Sequence, residues 1–363
     1  MNETGVLPDA AIQGLIDQGQ IESRGALSPD QIQPASLDLT LGERAWRVRA
    51  SFLPSGSRNV AARLHDGLAM HEIALGDGAV LERGCVYLVE LNESLNLPAD
   101  IAACANPKSS TGRIDVFVRM VVDGGATFDE TPPGYAGPLY AEISPRTFSI
   151  LVRRGSSLNQ LRLKKGRPQL DDQSLKALHQ KTRLIDRDAD IDDGIGVRID
   201  LTSQSGGPIG WRARRHSGLI DVDKRGALNA NDFFEAIKPA GSNSIILDPD
   251  EFYILRSKEH LLVPPENAAE MTPINTGLGE FRVHYAGFFD PGFGWSADAK
   301  TPRSRGVLEV RSHDAPFLLD DGQLVARLVY ERMLARPKRL YGADLSSNYQ
   351  GQGLRLSKHF SDN

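Results

Sequence analysis

Residues 86–107 read VYLVELNESLNLPADIAACANP, and residues 252–273 read FYILRSKEHLLVPPENAAEMTP. The pairs Tyr87/Tyr253, Glu93/Glu259, Leu95/Leu261, Pro98/Pro264, Ala102/Ala268 and Pro107/Pro273 share one offset. Self-similarity on this scale marks a duplicated structural unit, which decides the fold before any single element does. The match extends in both directions. Upstream, LDLT (37–40) followed by Trp46 is echoed by IDLT (199–202) followed by Trp211. Downstream, PPGYAG (132–137) leading to Glu142 is echoed by DPGFG (290–294) leading to Glu309, and Gln160-Leu161 by Gln323-Leu324. The expected organisation is a first unit at 1–165, a linker at 166–193, a second unit at 194–335 and a tail at 336–363.

The unit is predicted to be mainly β. Residues 86–91, 253–255 and 325–330 are short apolar, β-branched runs, and 35 Gly and 21 Pro supply the turns between strands. Helical pattern is scarce. Residues 8–18 predict one short helix capped by Asp9, and 230–237 another capped by Asn231. The join at 164–194 is rich in Asp, Lys, Arg and Gln and reads as a solvated linker, with a helix over 172–184 as the alternative.

Composition excludes several classes. A length of 363 residues suits two domains. No apolar run approaches the roughly 20 residues that span a bilayer. Residues 1–9 show neither a basic n-region nor an apolar h-region, so a cytoplasmic location is expected. Cys85 and Cys104 are too few for a disulfide framework or a Cys-rich zinc site. The net charge of −5 argues against a polynucleotide coat while permitting a local basic pocket. The zinc-deaminase signature H-x-E…P-C-x-x-C is absent, so no protein-bound metal is expected at the reacting centre.

The segment Asn106-Pro107-Lys108-Ser109-Ser110-Thr111-Gly112-Arg113 gathers hydroxyls, two cations and a glycine, a set suited to phosphate contacts. It lacks the Walker A order, and read alone it is more readily a polar surface turn. Asp290-Pro291-Gly292-Phe293-Gly294 reads as a hairpin turn, or as a turn whose aromatic lines a base or sugar pocket. Glu142 and Glu309 sit in apolar strand contexts. Alternation places them on solvent-facing positions; the other reading is a buried carboxyl suited to proton transfer.

Four segments in order resemble the dCTP deaminase branch of the trimeric dUTPase superfamily: PASLDLTLG (34–42), KSSTGR (108–113), the DPGF turn with its following strand Glu, and the tail Tyr341…Tyr349-Gln350-Gly351-Gln352. The family unit occurs here twice, as in a double-length form. The resemblance implies tandem dUTPase-like distorted β-barrels (jelly-roll-like) with a few short helices, threefold barrel packing in a homo-oligomer, and sites between barrels. It implies conversion of dCTP and water to dUTP and ammonia, with Mg²⁺ carried on the triphosphate and dUTP supplied for thymidylate synthesis. Neither a membrane nor a nucleic-acid polymer is an expected partner.

Carried onto this chain, the resemblance implies catalytic roles for a strand Glu (Glu309 or Glu142), Ser109 and Arg113. It implies nucleotide contacts from Lys108, Ser109, Ser110, Arg113, Ala286, Asp290, Phe293, Tyr341 and Gln352. The copies differ in what they keep. The first has the SSTGR turn and Glu142 but Pro132 in place of the turn Asp; the second has Asp290, Glu309 and the tail but INTGL (274–278) in place of SSTGR. Asn348 replaces the usual tail Lys. One site composed from both copies is therefore expected, and a site confined to first-copy surfaces with Glu142 as base is the rival. Two other functions remain open on the same fold: a dUTP pyrophosphatase or bifunctional deaminase–pyrophosphatase, and a non-catalytic nucleotide sensor.

Overall fold

The computed structural model describes residues 3–54, 59–203, 206–239, 241–273, 281–284 (backbone), 287–296, 304–312, 314–342 and 349–361. The fold is mainly β, and its sheets repeat as the sequence does. In the first half the strands Ala69–Ala74, Leu41–Val48, Val86–Asn96, Ala136–Pro145 and Val116–Val122 lie in that order in one sheet. In the second half Phe234–Ile237, Gly210–Ala213, Tyr253–Leu261, Ser304–Ser312 and Phe281–His284 repeat the order. A second set, Leu37–Leu39, Asn159–Lys165, Ile101–Pro107 and Glu130–Thr131, is matched by Ile195–Arg198, Leu324–Arg332, Asn267–Pro273 and Phe288–Phe289. All of these pairings are antiparallel.

Local sequence explains the pleat. Along Ile101–Pro107 the residues Ile101, Ala103, Ala105 and Pro107 are buried, while Ala102, Cys104 and Asn106 are only partly so, the period of two of a half-buried strand. Ser304–Ser312 departs from alternation, because all nine positions are buried. Leu308 and Val310 pack in the second half's core, whereas Val307 packs in the core of the first half. The two halves thus cover both faces of this strand.

Apolar packing fuses the halves. Ile220, Val222, Phe233, Phe234 and Phe360 join the first-half core, and Phe148 meets Phe233 and Phe234 edge-to-face at 5.6 and 5.5 Å. Ile220–Asp221 also adds a parallel strand to Ile150–Val152.

The short helices differ from expectation in detail. The first spans Asp9–Asp17, but Pro8 occupies the N-cap, and Asp9, the first helical residue, accepts the neighbouring Ala10 N–H at 2.8 Å. The same carboxylate also accepts the backbone N–H groups of Lys338 and Arg339, tying down the chain that leads to the tail. At 230–237 only Ala230–Phe233 is helical, capped by Asn229 rather than Asn231, and Phe234–Ile237 pairs as a strand with Gly210–Ala213. The join is not merely solvated linker. Asp172–Lys181 is a helix capped by Asp171, whose carboxylate accepts the Ser174 N–H at 2.7 Å, and Leu175 is fully buried. No helix among the described residues is long and apolar enough to cross a membrane.

Candidate active site

The SSTGR turn is built as one helical turn, Ser109–Gly112, entered from the strand ending at Pro107. Two bonds to the Leu158 carbonyl fix it: the Lys108 N–H at 2.9 Å and the Thr111 hydroxyl at 2.8 Å. Ser110, Thr111 and Arg113 are buried, so this is not an exposed polar turn. Lys108 contacts the Asp38 carboxylate of the LDLT strand.

Arg113 reaches into the second half. Its guanidinium lies 3.8 Å from the Glu309 carboxylate and donates to Gln352 Oε1 at 2.9 Å and to the Arg355 carbonyl at 3.0 Å. The Tyr349 ring stacks over it at 3.9 Å. Glu309 is buried, correcting the solvent-facing reading, because the face on which alternation places it is covered by the first half. Loss of water pushes its carboxyl up to about 8, opposed by the Arg113 charge.

The DPGF turn forms the neighbouring wall. Gly292 adopts φ +100°, and a Cβ there would lie 2.9 Å from the Tyr341 carbonyl, so the turn requires glycine for close approach of the tail. Asp290 is buried and its Oδ1 has no hydrogen-bond partner; burial raises its carboxyl to about 6 while Arg162, 3.6 Å away, opposes the rise. Arg162 comes from the first half and stacks on Phe288 at 3.9 Å. Phe289 meets Phe293 edge-to-face at 4.9 Å, and Phe293 lies 5.8 Å from the Tyr341 ring.

The tail is stitched across this ground. Gln350 accepts the Gly294 N–H at 3.1 Å and donates to the Gly292 and Trp295 carbonyls. Ser357 donates to the Ser110 carbonyl at 2.8 Å. Phe360 then plugs between Phe233 and Phe234 at 5.3 and 5.4 Å.

Lys108, Ser109, Ser110, Arg113, Asp290, Phe293, Glu309, Tyr341 and Gln352 all line one cavity of about 670 Å³. Ala286, the INTGL stretch and Asn348 lie outside the described residues. Glu142 does not line the cavity. It is buried elsewhere, on a strand whose Tyr140 packs with Trp46, Val48 and Val60, and it accepts a 3.0 Å bond from Ser51. The solvent-facing reading of Glu142 is therefore corrected too.

The cavity also holds residues that motif reading did not single out. Arg225 and Lys358 join the motif residue Lys108 there from distant parts of the chain. Burial, then the charges of Lys108 and Arg225, push the Lys358 ammonium down to about 8, an arrangement that an anion would relieve. Asp38 Oδ1, Asp290 Oδ1 and Arg113 Nε are buried cavity-wall atoms without hydrogen-bond partners, which a polar ligand would satisfy.

The cavity joins a buried carboxyl, a stacked guanidinium, aromatic edges and clustered cations, a set of groups whose chemistry suits an enzyme acting on an anionic small molecule. The family description "2'-deoxycytidine 5'-triphosphate deaminase (DCD) N-terminal domain" matches residues 3–167, and its C-terminal-domain counterpart matches 171–360. The chain belongs to the dCTP deaminase family, in a double-length form.

Relatives include a dCTP deaminase of Haloarcula marismortui, 30% identical over 43% of this chain and 78% of its own length. A "dCTP deaminase, dUMP-forming" of Coprothermobacter proteolyticus is 31% identical over 38% of this chain and 70% of its own. A crystal structure of 2'-deoxycytidine 5'-triphosphate deaminase from Agrobacterium tumefaciens is similar at 50% identity, with a TM-score of 0.88, over 93% of this chain and all of that one.

Proposed function

We propose that this enzyme deaminates dCTP to dUTP and ammonia at one composite site per chain, each half being a dUTPase-like distorted barrel. The observation that carries the reading is the 3.8 Å approach of first-half Arg113 to second-half Glu309 inside the shared cavity. The SSTGR turn, kept only in the first copy, meets there the glutamate of the copy that keeps the Asp290 turn and the tail.

The chemistry follows from the environment of Glu309. A carboxyl titrating near 8 can both take and give a proton close to neutrality. Water adds its oxygen to cytosine C4 while one of its protons passes through Glu309 to N3. The remaining hydroxyl proton then passes through the same carboxyl to the amino nitrogen. The C4–N bond breaks, ammonia leaves, and the C4 carbonyl of dUTP remains. Arg113 and Ser109 orient the water and base, and Arg113 is itself held by Gln352 and Tyr349. Asp290 suits a sugar hydroxyl, with Phe293 packing against the deoxyribose.

Lys108, Arg225 and Lys358 form the wall that would face the triphosphate. Mg²⁺ would enter with the substrate, carried by its phosphate oxygens. Bound that way, it would offset triphosphate charge. Two barrels per chain leave a threefold ring to be completed by another copy, so a homo-oligomer is the assembly this reading implies. Dispersal to a monomer in light scattering would count against it.

The test is incubation with dCTP, dCMP and dUTP plus Mg²⁺, measuring ammonia and pyrophosphate. Ammonia from dCTP without pyrophosphate is expected. The dUMP-forming name of one relative makes ammonia together with pyrophosphate the informative alternative, marking a bifunctional enzyme. Neither product from any substrate overturns the proposal.

A further inference from the structure

Glu309 and Arg311 are two residues apart on one strand and so point to the same face, toward the first half. Arg113 and Asp115 are likewise two apart, leaving the SSTGR turn. Arg113 meets Glu309, and Arg311 meets Asp115, so the two contacts run side by side across the junction. The second is far tighter. Arg311 Nε donates to both Asp115 carboxylate oxygens at 3.1 Å, Nη2 also contacts Oδ2, and Nη2 donates to Thr147 Oγ1 at 2.8 Å. The Thr147 hydroxyl in turn donates to Asp115 Oδ2 at 2.5 Å.

Asp115 is fully buried and sits at φ +56°, a backbone region that non-glycine residues seldom occupy. Its peptide N–H closes the turn onto the Gly112 carbonyl at 2.9 Å, so a displaced Asp115 carries the end of the SSTGR turn with it.

We propose that the Asp115–Arg311–Thr147 clamp is a positioning device that sets the spacing of Arg113 and Glu309, and through it kcat. The proposal rests on the composite-site reading. None of the three side chains lines the cavity, whereas the triphosphate wall and Asp290 do, so the effect falls on turnover rather than on substrate binding.

The test is steady-state kinetics of ammonia release from dCTP for Arg311→Lys, Arg311→Met and Thr147→Val, each corrected for folded protein by circular dichroism. Misplacement of a reacting group by about 1 Å costs about 100-fold. A fall in kcat of about that size is expected for Arg311→Met, less for Arg311→Lys, and a few-fold for Thr147→Val, with KM within about threefold. Thr147→Val keeps the ion pair and covers the case in which an Arg311 variant fails to fold. Unchanged kcat in folded variants, or a loss that tracks only the folded fraction, overturns the clamp. Glu309→Gln in the same assay separates the two proposals: if it stays fully active, the composite site fails first; if it is dead while the clamp variants are normal, only the clamp fails.

Discussion

Glu142 and Glu309 occupy corresponding strands of a duplicated unit, and both are buried, yet they have become different groups. On each strand the inward neighbours face their own half's core: Ala141 and Ile143 beside Glu142, Leu308 and Val310 beside Glu309. The outward faces are covered differently. Over Glu142 lies the chain around Ser51 and Phe52, with Val60 and Leu64 filling the space above Trp46 and Tyr140. Over Glu309 lies the other half, bringing Arg113 and a cavity. The same residue in the same strand is a sealed polar group in one copy and a solvent-starved acid beside a guanidinium in the other. A duplicated site is thus decided by what covers it as much as by the residues it keeps.

The contrast can be broken most severely at Arg113. Arg113→Met leaves Glu309 buried without its counter-charge and removes the anchor of Gln352; a loss of about 10³-fold in kcat/KM is expected in ammonia release. A loss under tenfold would place the reacting groups elsewhere.

The pH profile is the next largest effect. Burial raises the Glu309 carboxyl to about 8, so its ionised fraction grows as pH climbs toward that value. With the carboxylate as base, kcat/KM should rise about tenfold per pH unit from pH 6 and level off above 8. A profile flat from 6 to 9 contradicts Glu309 as the base.

The tail should matter less. Gln352→Ala removes one hydrogen bond to the Arg113 guanidinium and should cost about tenfold in kcat/KM. No change would mean the tail does not hold Arg113 during turnover.

The smallest effect is on stability. The folded state holds the Glu309 proton more tightly than the unfolded chain, so the stability that proton contributes is full below about 4.5 and is lost as pH rises through 8. Glutamine carries no such dependence. Glu309→Gln should therefore melt about 2 °C or more above the parent at pH 8, with a smaller gain at pH 5. Equal gains at both pH values would show that the carboxyl is not desolvated.

The contiguous motifs were readable in the chain because their chemistry and spacing lie within a few residues: LDLT, SSTGR, DPGF and the Tyr349-Gln350-Gly351-Gln352 tail all reach the cavity or its rim. The repeat likewise foretold the matched strand orders of the two halves. What alternation misjudged was burial. It counts one sheet face as solvent, and in Ser304–Ser312 that face belongs to the other half. Arg225 and Lys358 left no signal, since only the docking of residues 220–222 and of the C-terminal Phe360 brings their segments to the site. The helix expected over 230–237 failed beyond Phe233, because backbone pairing with Gly210–Ala213 outweighs local propensity.

The central claim concerns which glutamate works. Ammonia release from dCTP, measured side by side for Glu309→Gln and Glu142→Gln, tests it most directly. The composite site predicts near-complete loss in the first, by about 10³-fold or more, and activity within about twofold of the parent in the second. Full activity in Glu309→Gln with loss in Glu142→Gln would contradict it.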